Sequence, residues 1–287
     1  MVLGMMLCGC SRRVDPGADQ LVVVTLNTHS FQEGERSLAA LEDIGRGLAV
    51  LEADLVGLNE VMSGTFLSYD YAGARYDGTE LIRGALEGAS GERWYEATFG
   101  FAHWETGELM SNVVLSRTPI TERDSRPLTT TDFWPGPGEA RGVGFVRTVV
   151  PGLGPIHLYV THTWGWDSAD TLIQIAEVKA FMAERDPGDG TPTLLVGDLN
   201  LPPTHPAFSA WLGSGAPRLL DTWALAHPTR ADAPTQRDGP HRIDYVLLAE
   251  GGRLGQGGWT SSPAFDGSQL PVVSDHLGVV TRFELPR

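Results

Sequence analysis

The feature that most constrains this chain is a recurrence. Short β-branched or leucine-rich runs stop, one after another, at a polar or ionisable side chain. Residues 21–26 (LVVVTL) end at Asn27, and residues 54–58 (DLVGL) give way to Asn59 and Glu60. Residues 156–161 end at His162, residues 193–196 (TLLV) run into Asp198 and Asn200, and residues 242–248 carry Asp244. Apolar runs of this length, bounded by polar residues, read as buried strands. Catalytic groups are commonly carried at the ends of core strands, because a rigid scaffold holds them there.

Two segments between the strands carry a helical period. Leu38, Leu41, Ile44, Leu48 and Leu51 recur at three- and four-residue steps, with Ser37 placed to cap the start. Leu172, Ile175, Val178 and Met182 mark a second helix. Residues 112–115 (NVVL) predict a strand stopped at Thr118-Pro119, and residues 143–150 and 156–161 predict a hairpin joined by the turn residues PGLG. Residues 279–283 supply the last strand, and residues 63–110, with many Gly and Tyr, read as a long irregular excursion over the surface. Many strands and few helices predict an α/β architecture with two sheets packed face to face and helices outside. Periodicity alone does not choose this over a doubly wound sheet.

Composition narrows the partners. A chain of 287 residues, 41% of them hydrophobic, is ample for a sizeable core in one large domain or two small ones. The net charge is −15, and no Lys/Arg cluster appears beyond Arg12-Arg13. Binding to a nucleic-acid backbone usually needs a basic patch, so this balance disfavours nucleic acid, although bound divalent cations supply positive charge locally. Both cysteines, Cys8 and Cys10, lie in the first ten residues, so the body has no internal disulfide. Leu7-Cys8-Gly9-Cys10 resembles a bacterial lipobox in which Cys10 is lipidated, although the apolar stretch is short and no basic residue precedes it. The expectation is a tether over residues 1–20, a catalytic domain over residues 21–287, and a place in the bacterial cell envelope or outside the cell. No other segment is apolar for long enough to span a bilayer, and no protein partner is evident.

The polar strand ends form a chemical set. GDLN at 197–200 alone reads as a turn, but after a buried strand it puts Asp198 and Asn200 on the same side. The carboxylate suits orienting or deprotonating a water, and the amide suits a phosphate oxygen. SDHLGVV at 274–280 adds Asp275 and His276, alone a surface pair; in company, His276 is a side chain able to move a proton near neutral pH, or to steady a developing oxyanion. Asp244 in RIDYVL sits in an apolar strand and needs a partner, which we expect to be His276, with Arg242 as the alternative. Glu60 suits Mg²⁺, which takes oxygen ligands and few protein carboxylates, and Asn27 offers an amide oxygen nearby. His162 in THTW gives a second imidazole for a phosphate oxygen. Singly, each also reads as an ordinary strand-end polar residue.

Taken in order, LN at 26–27, NEV at 59–61, SNVVLSRTPI at 111–120, THTW at 161–164, GDLN, RIDYVL at 242–247 and SDHLGVV resemble the endonuclease/exonuclease/phosphatase superfamily. The likeness spans the chain from about Val22 to about Phe283. It implies a four-layer α-β-β-α sandwich of two mixed sheets flanked by helices. It also implies a metal-dependent phosphoester hydrolase using Mg²⁺ or Mn²⁺ and in-line attack of water on phosphorus. By the same resemblance Glu60, Asn27 and Asp275 lie at the metal. Asp198 aligns the water, Asn200 and His162 bind phosphate, His276 is the catalytic histidine, and Asp244 orients it. The chain departs from the family's usual pattern at Asn59, where Gln is common, at His29, where some nucleases carry Asp, and at Thr163, where Leu is usual.

The substrate is expected to be a phosphodiester: a phospholipid head group, a nucleic acid or a small molecule. Trp164, Trp166, Trp134, Phe133, Trp104 and the tyrosines of 69–76 offer an aromatic rim, although most of them read first as cover for the sheet edges, and Arg117 and Arg141 each read equally as a phosphate contact or as a surface or ion-pair arginine. The alternatives are a secreted DNase-like nuclease and a catalytically silent binding module on the same fold.

Overall fold

The computed structural model describes residues 20–31, 37–65, 75–103, 109–130, 140–165, 170–186, 188–213 and 215–285. The expected tether, with Cys8 and Cys10, lies outside them, as do Trp104, Phe133, Trp134, Trp166, Tyr69 and Tyr71.

Among the described residues, thirteen strands form two sheets. In the seven-stranded sheet the order is β12 (Trp259–Ala264), β13 (Gly278–Glu284), β1 (Gln20–Asn27), β2 (Leu55–Thr65), β5 (Leu109–Ser116) and β4 (Tyr95–His103), with short β3 (Arg75–Asp77) beside β2. In the six-stranded sheet the order is β10 (Leu219–Asp221), β11 (Asp244–Ala249), β9 (Thr193–Asp198), β8 (Gly154–His162), β7 (Arg141–Val150) and β6 (Ile120–Leu128). Each sheet holds one central parallel pair, β1/β2 and β8/β9, and its other pairings are antiparallel. Each parallel pair is joined through a helix, α1 (Ser37–Val50) or α3 (Asp170–Ala183), because parallel strands need a long crossover.

Alternation explains why the strand runs are apolar throughout. Along β1, Val22, Val24 and Leu26 pack outward with Leu41, Ile44 and Leu48 of α1, while Leu21 and Val23 pack inward against the other sheet. Along β11, Val246 and Leu248 face between the sheets, while Tyr245 and Leu247 join Val178 and Phe181 of α3 outside. Three interiors result, one under each helical layer and one between the sheets, which makes the four-layer sandwich. No helix among the described residues is long and apolar enough to cross a membrane.

Three expectations need correction. Residues 63–110 hold the end of β2, then β3, helix α2 (Gly78–Ser90), β4 and the start of β5. Helix α2 has its own signals: the Asp77 side chain accepts the Glu80 N–H, Gly91 ends it at φ 70°, and Ile82 and Leu86 are buried. Its many small residues mask that period. The strand beginning near residue 54 runs on to Thr65 through a bulge. In α3, Ile175, Val178 and Met182 face the core, but Leu172 is exposed at the first turn.

Candidate active site

Both parallel pairs end at one edge of the sandwich. Asn27 is paired with Asn59 at the end of β1/β2, His162 with Asp198 at the end of β8/β9, and Asp244 of β11 opposite Asp198. The two sheets therefore bring every polar strand end noted in the sequence over one cleft, and the loop after β12 adds Asp275 and His276.

Glu60 leaves the ladder at the bulge between Leu58 and Val61, with φ 56°. The Thr28 hydroxyl holds that bulge by donating to the Glu60 carbonyl at 2.9 Å and the Asn59 carbonyl at 3.1 Å. The Asn27 amide donates to Glu60 Oε1 and to Asp198 Oδ2, each at 2.9 Å. Ser30 Oγ donates to Glu60 Oε2 at 3.0 Å. Asp198 Oδ1 accepts the Asn200 N–H at 2.8 Å. Its Oδ2 lies 3.6 Å from His162 Nε2 and 3.8 Å from His276 Nε2. One carboxylate oxygen thus stands between two imidazoles and beside Glu60.

The two imidazoles are held in opposite states. Burial disfavours the charge on His276, but Asp244, hydrogen-bonded to Nδ1 at 2.9 Å, outweighs it together with Asp198 and Asp275, and raises the pKa to about 10. His162 meets a cation instead: Arg141 Nη1 is 3.1 Å from its Nδ1, and the guanidinium lies 4.9 Å over the Trp164 ring. Burial first, then Arg141 and His276, hold the His162 pKa well below its ordinary value. A guanidinium only donates, so Nδ1 accepts and the His162 proton sits on Nε2, on the side of Asp198 Oδ2 at 3.6 Å. Burial, then the nearby Asp244 carboxylate, pushes Asp198 well above the ordinary carboxylate range. A raised pKa makes it a stronger base once ionised.

Every predicted site residue lies at this cleft, with two changes of posture. Asn27 turns its amide nitrogen to the carboxylates, while its oxygen accepts the His29 N–H at 2.9 Å, so it serves as a donor rather than an oxygen ligand. Asp275 Oδ1 sits 3.2 Å from His29 Nδ1 and 3.9 Å from His276 Nε2. Asp244 pairs with His276 as expected, and Arg242 instead grips Asp221 with both terminal nitrogens. Arg117 is a structural pair with Asp54 and Glu92 at the opposite strand end, whereas Arg141 lines the cleft. Sequence reasoning missed two residues. Ser274 Oγ donates to the Asn27 carbonyl at 2.7 Å and accepts the His276 N–H at 3.1 Å, pinning the loop to β1. Asn112 was visible as a lone amide in an apolar strand, a group that needs a buried partner.

The donor set fits a divalent cation. Four carboxylates, of Glu60, Asp198, Asp244 and Asp275, converge against two cationic side chains, Arg141 and His276. Hard oxygen donors with partial water access suit Mg²⁺. Asp198, Asp244 and His276 also place ligand atoms within 4.8 Å of one another, and Asp244 Oδ1 is buried with no hydrogen-bond partner. His276 is buried with its Nδ1 bonded to Asp244, so the partly exposed Glu60, open to water, is the better anchor.

The profile of the endonuclease/exonuclease/phosphatase family matches residues 24–276. No curated protein matches the chain. Among solved structures, an endonuclease/exonuclease/phosphatase family protein from Leptotrichia buccalis aligns with TM-score 0.72 at 17% identity, over 93% of this chain and 100% of that one. An endonuclease/exonuclease/phosphatase from Beutenbergia cavernae aligns with TM-score 0.64 at 24% identity, over 93% and 72%. A mannosyl-6-phosphatase from Bacteroides thetaiotaomicron aligns with TM-score 0.60 at 17% identity, over 92% and 99%. At these identities the structural likeness speaks for the fold.

Proposed function

The chain belongs to the endonuclease/exonuclease/phosphatase family, and from that premise we propose that it is a divalent-metal-dependent phosphodiesterase that attacks phosphorus with an activated water. The observation that carries this reading is the single Asn27 amide bonded to both Glu60 and Asp198, with two imidazoles facing the same Asp198 oxygen. A cation held by Glu60 would polarise a phosphoryl oxygen and offset the charge that builds there. Asp198 orients the water and takes its proton as the new oxygen–phosphorus bond forms. Neutral His162 and the Asn200 amide face the phosphoryl oxygens as donors. His276, cationic against Asp244, steadies the developing negative charge and is placed to give a proton to the departing alcohol as the ester bond breaks.

Bis-p-nitrophenyl phosphate and p-nitrophenyl phosphate, each with Mg²⁺, Mn²⁺ or chelator, test the reading. We expect metal-dependent cleavage of the diester, reduced about 10²–10⁴-fold in Asp198→Asn and His276→Ala. Preference for the monoester would shift the assignment toward a phosphatase, the activity named for the mannosyl-6-phosphatase of similar fold. No turnover of either ester, or turnover surviving both substitutions, overturns the proposal.

A further inference from the structure

Behind the cleft, a buried amide pair joins the two halves of the site. Asn59 is fully buried and Asn112 is 4% exposed. Asn59 Oδ1 accepts the Asp198 N–H at 2.9 Å. Its Nδ2 donates to the Thr161 carbonyl at 3.0 Å and to Asn112 Oδ1 at 2.8 Å. Asn112 Nδ2 donates in turn to the Gly142 carbonyl at 3.0 Å. Asn59 and Asn112 belong to the seven-stranded sheet; Thr161, Asp198 and Gly142 belong to the other. Each acceptor or donor reached in the second sheet adjoins or forms part of the site: Thr161 precedes His162, Gly142 follows Arg141, and Asp198 is the proposed base.

The backbone is shaped to admit this amide. Gly197 has φ 138°, and a Cβ there would stand 1.9 Å from the Thr161 carbonyl and 3.1 Å from Asn59 Oδ1. Gly57 lets the sheets approach two residues earlier, since a Cβ there would stand 2.3 Å from Val196 Cγ2. Asn59 adjoins Glu60 in sequence, so one side chain references three groups at once: Glu60 on its own strand, Asp198 through its N–H, and His162 through the Thr161 carbonyl. Most of the contact between the sheets is apolar and sets no register to a fraction of an ångström; directional hydrogen bonds do, here those of Asn59 and Asn112 behind the Asn27–Asp198 bond at the cleft.

We propose that Asn59 and Asn112 are positioning residues, a relay across the sandwich that sets the distance between the Glu60 arm and the Asp198–His162 arm. The claim rests on the hydrolase reading only for its effect on rate. The relay itself has a readout that does not depend on activity.

Asn59→Leu, Asn112→Leu and the double variant remove the amides at similar volume. In folded protein we expect kcat for bis-p-nitrophenyl phosphate to fall about 10²-fold, as misplacement of about 1 Å does, with KM within about 3-fold. The double variant should be no worse than Asn59→Leu alone, because the pair acts as one unit. Amide hydrogen exchange at Asp198 should speed about 10-fold in Asn59→Leu, beyond the change at core amides of β1 and β11. Should Asn59→Leu fail to fold, Asn112→Leu carries the same kcat test. Rate per folded molecule within about 2-fold of the parent, or Asp198 exchange that changes only in step with the core, overturns the relay. If the parent protein hydrolyses no phosphoester, the functional reading fails, and the exchange result alone decides the relay.

Discussion

Asp198 and His276 sit 3.8 Å apart and hold their protons for different reasons. Asp198 keeps its proton to higher pH because burial and Asp244 penalise its charge, and His276 because Asp244 rewards its charge. Both folded pKa values lie above the ordinary ones, so the sign is the same for both. For His276, the stabilisation is fully present below the ordinary pKa of 6.5 and is lost as pH rises through about 10. We expect the stability of metal-free protein, measured by urea denaturation, to decline between those limits, and His276→Gln to flatten the decline. An unchanged slope in the variant would mean that the Asp244–His276 pair does not hold the proton. The pairing was legible in the sequence, because a lone carboxylate in an apolar strand needs a partner. The Arg141–His162 contact was not, since β7 pairing alone brings Gly142 opposite His162.

At the scale of elements, the strand ends matter more than the strands. Gly197 shows why: the chain turns through a left-handed conformation between Val196 and Asp198 to make room for the Asn59 amide. Gly197→Ala should lower stability by more than about 2 kcal/mol in denaturant titration, because the added carbon meets a carbonyl and not a yielding side-chain tip. A loss below about 0.5 kcal/mol would show that the β8/β9 ladder relaxes freely there. Helices α1 and α3 were readable because their apolar residues repeat with a clear period. Helix α2 was hidden by Gly78, Gly84, Gly88 and their neighbours, and β4 by Gly100 and a bulge beside it. Both are secured by tertiary burial of a few residues rather than by local propensity.

For the whole molecule, the excess of carboxylates in the cleft couples metal binding to stability. A cation that binds only the folded chain stabilises it by about 2.7 kcal/mol at one hundred times its dissociation constant. We expect Mg²⁺ to raise the melting temperature, Glu60→Gln to abolish the rise, and Asp244→Asn to leave most of it. The reverse pattern would move the cation to the Asp198, Asp244 and His276 group.

Read along the chain, the strand runs, the helical period of α1 and α3, and the identity of the polar residues at the strand ends were already plain. These are local facts, written in apolar spacing and in residue chemistry. Which strand ends meet was decided by the tertiary structure alone. Two sheets had to stack before Asn59 could reach Asp198 and before Asn27 could bridge Glu60 and Asp198, and β7 had to pair with β8 before Arg141 could set the state of His162. Those contacts join residues up to 171 apart in the chain, and their energies depend on burial and direction, which no local pattern encodes.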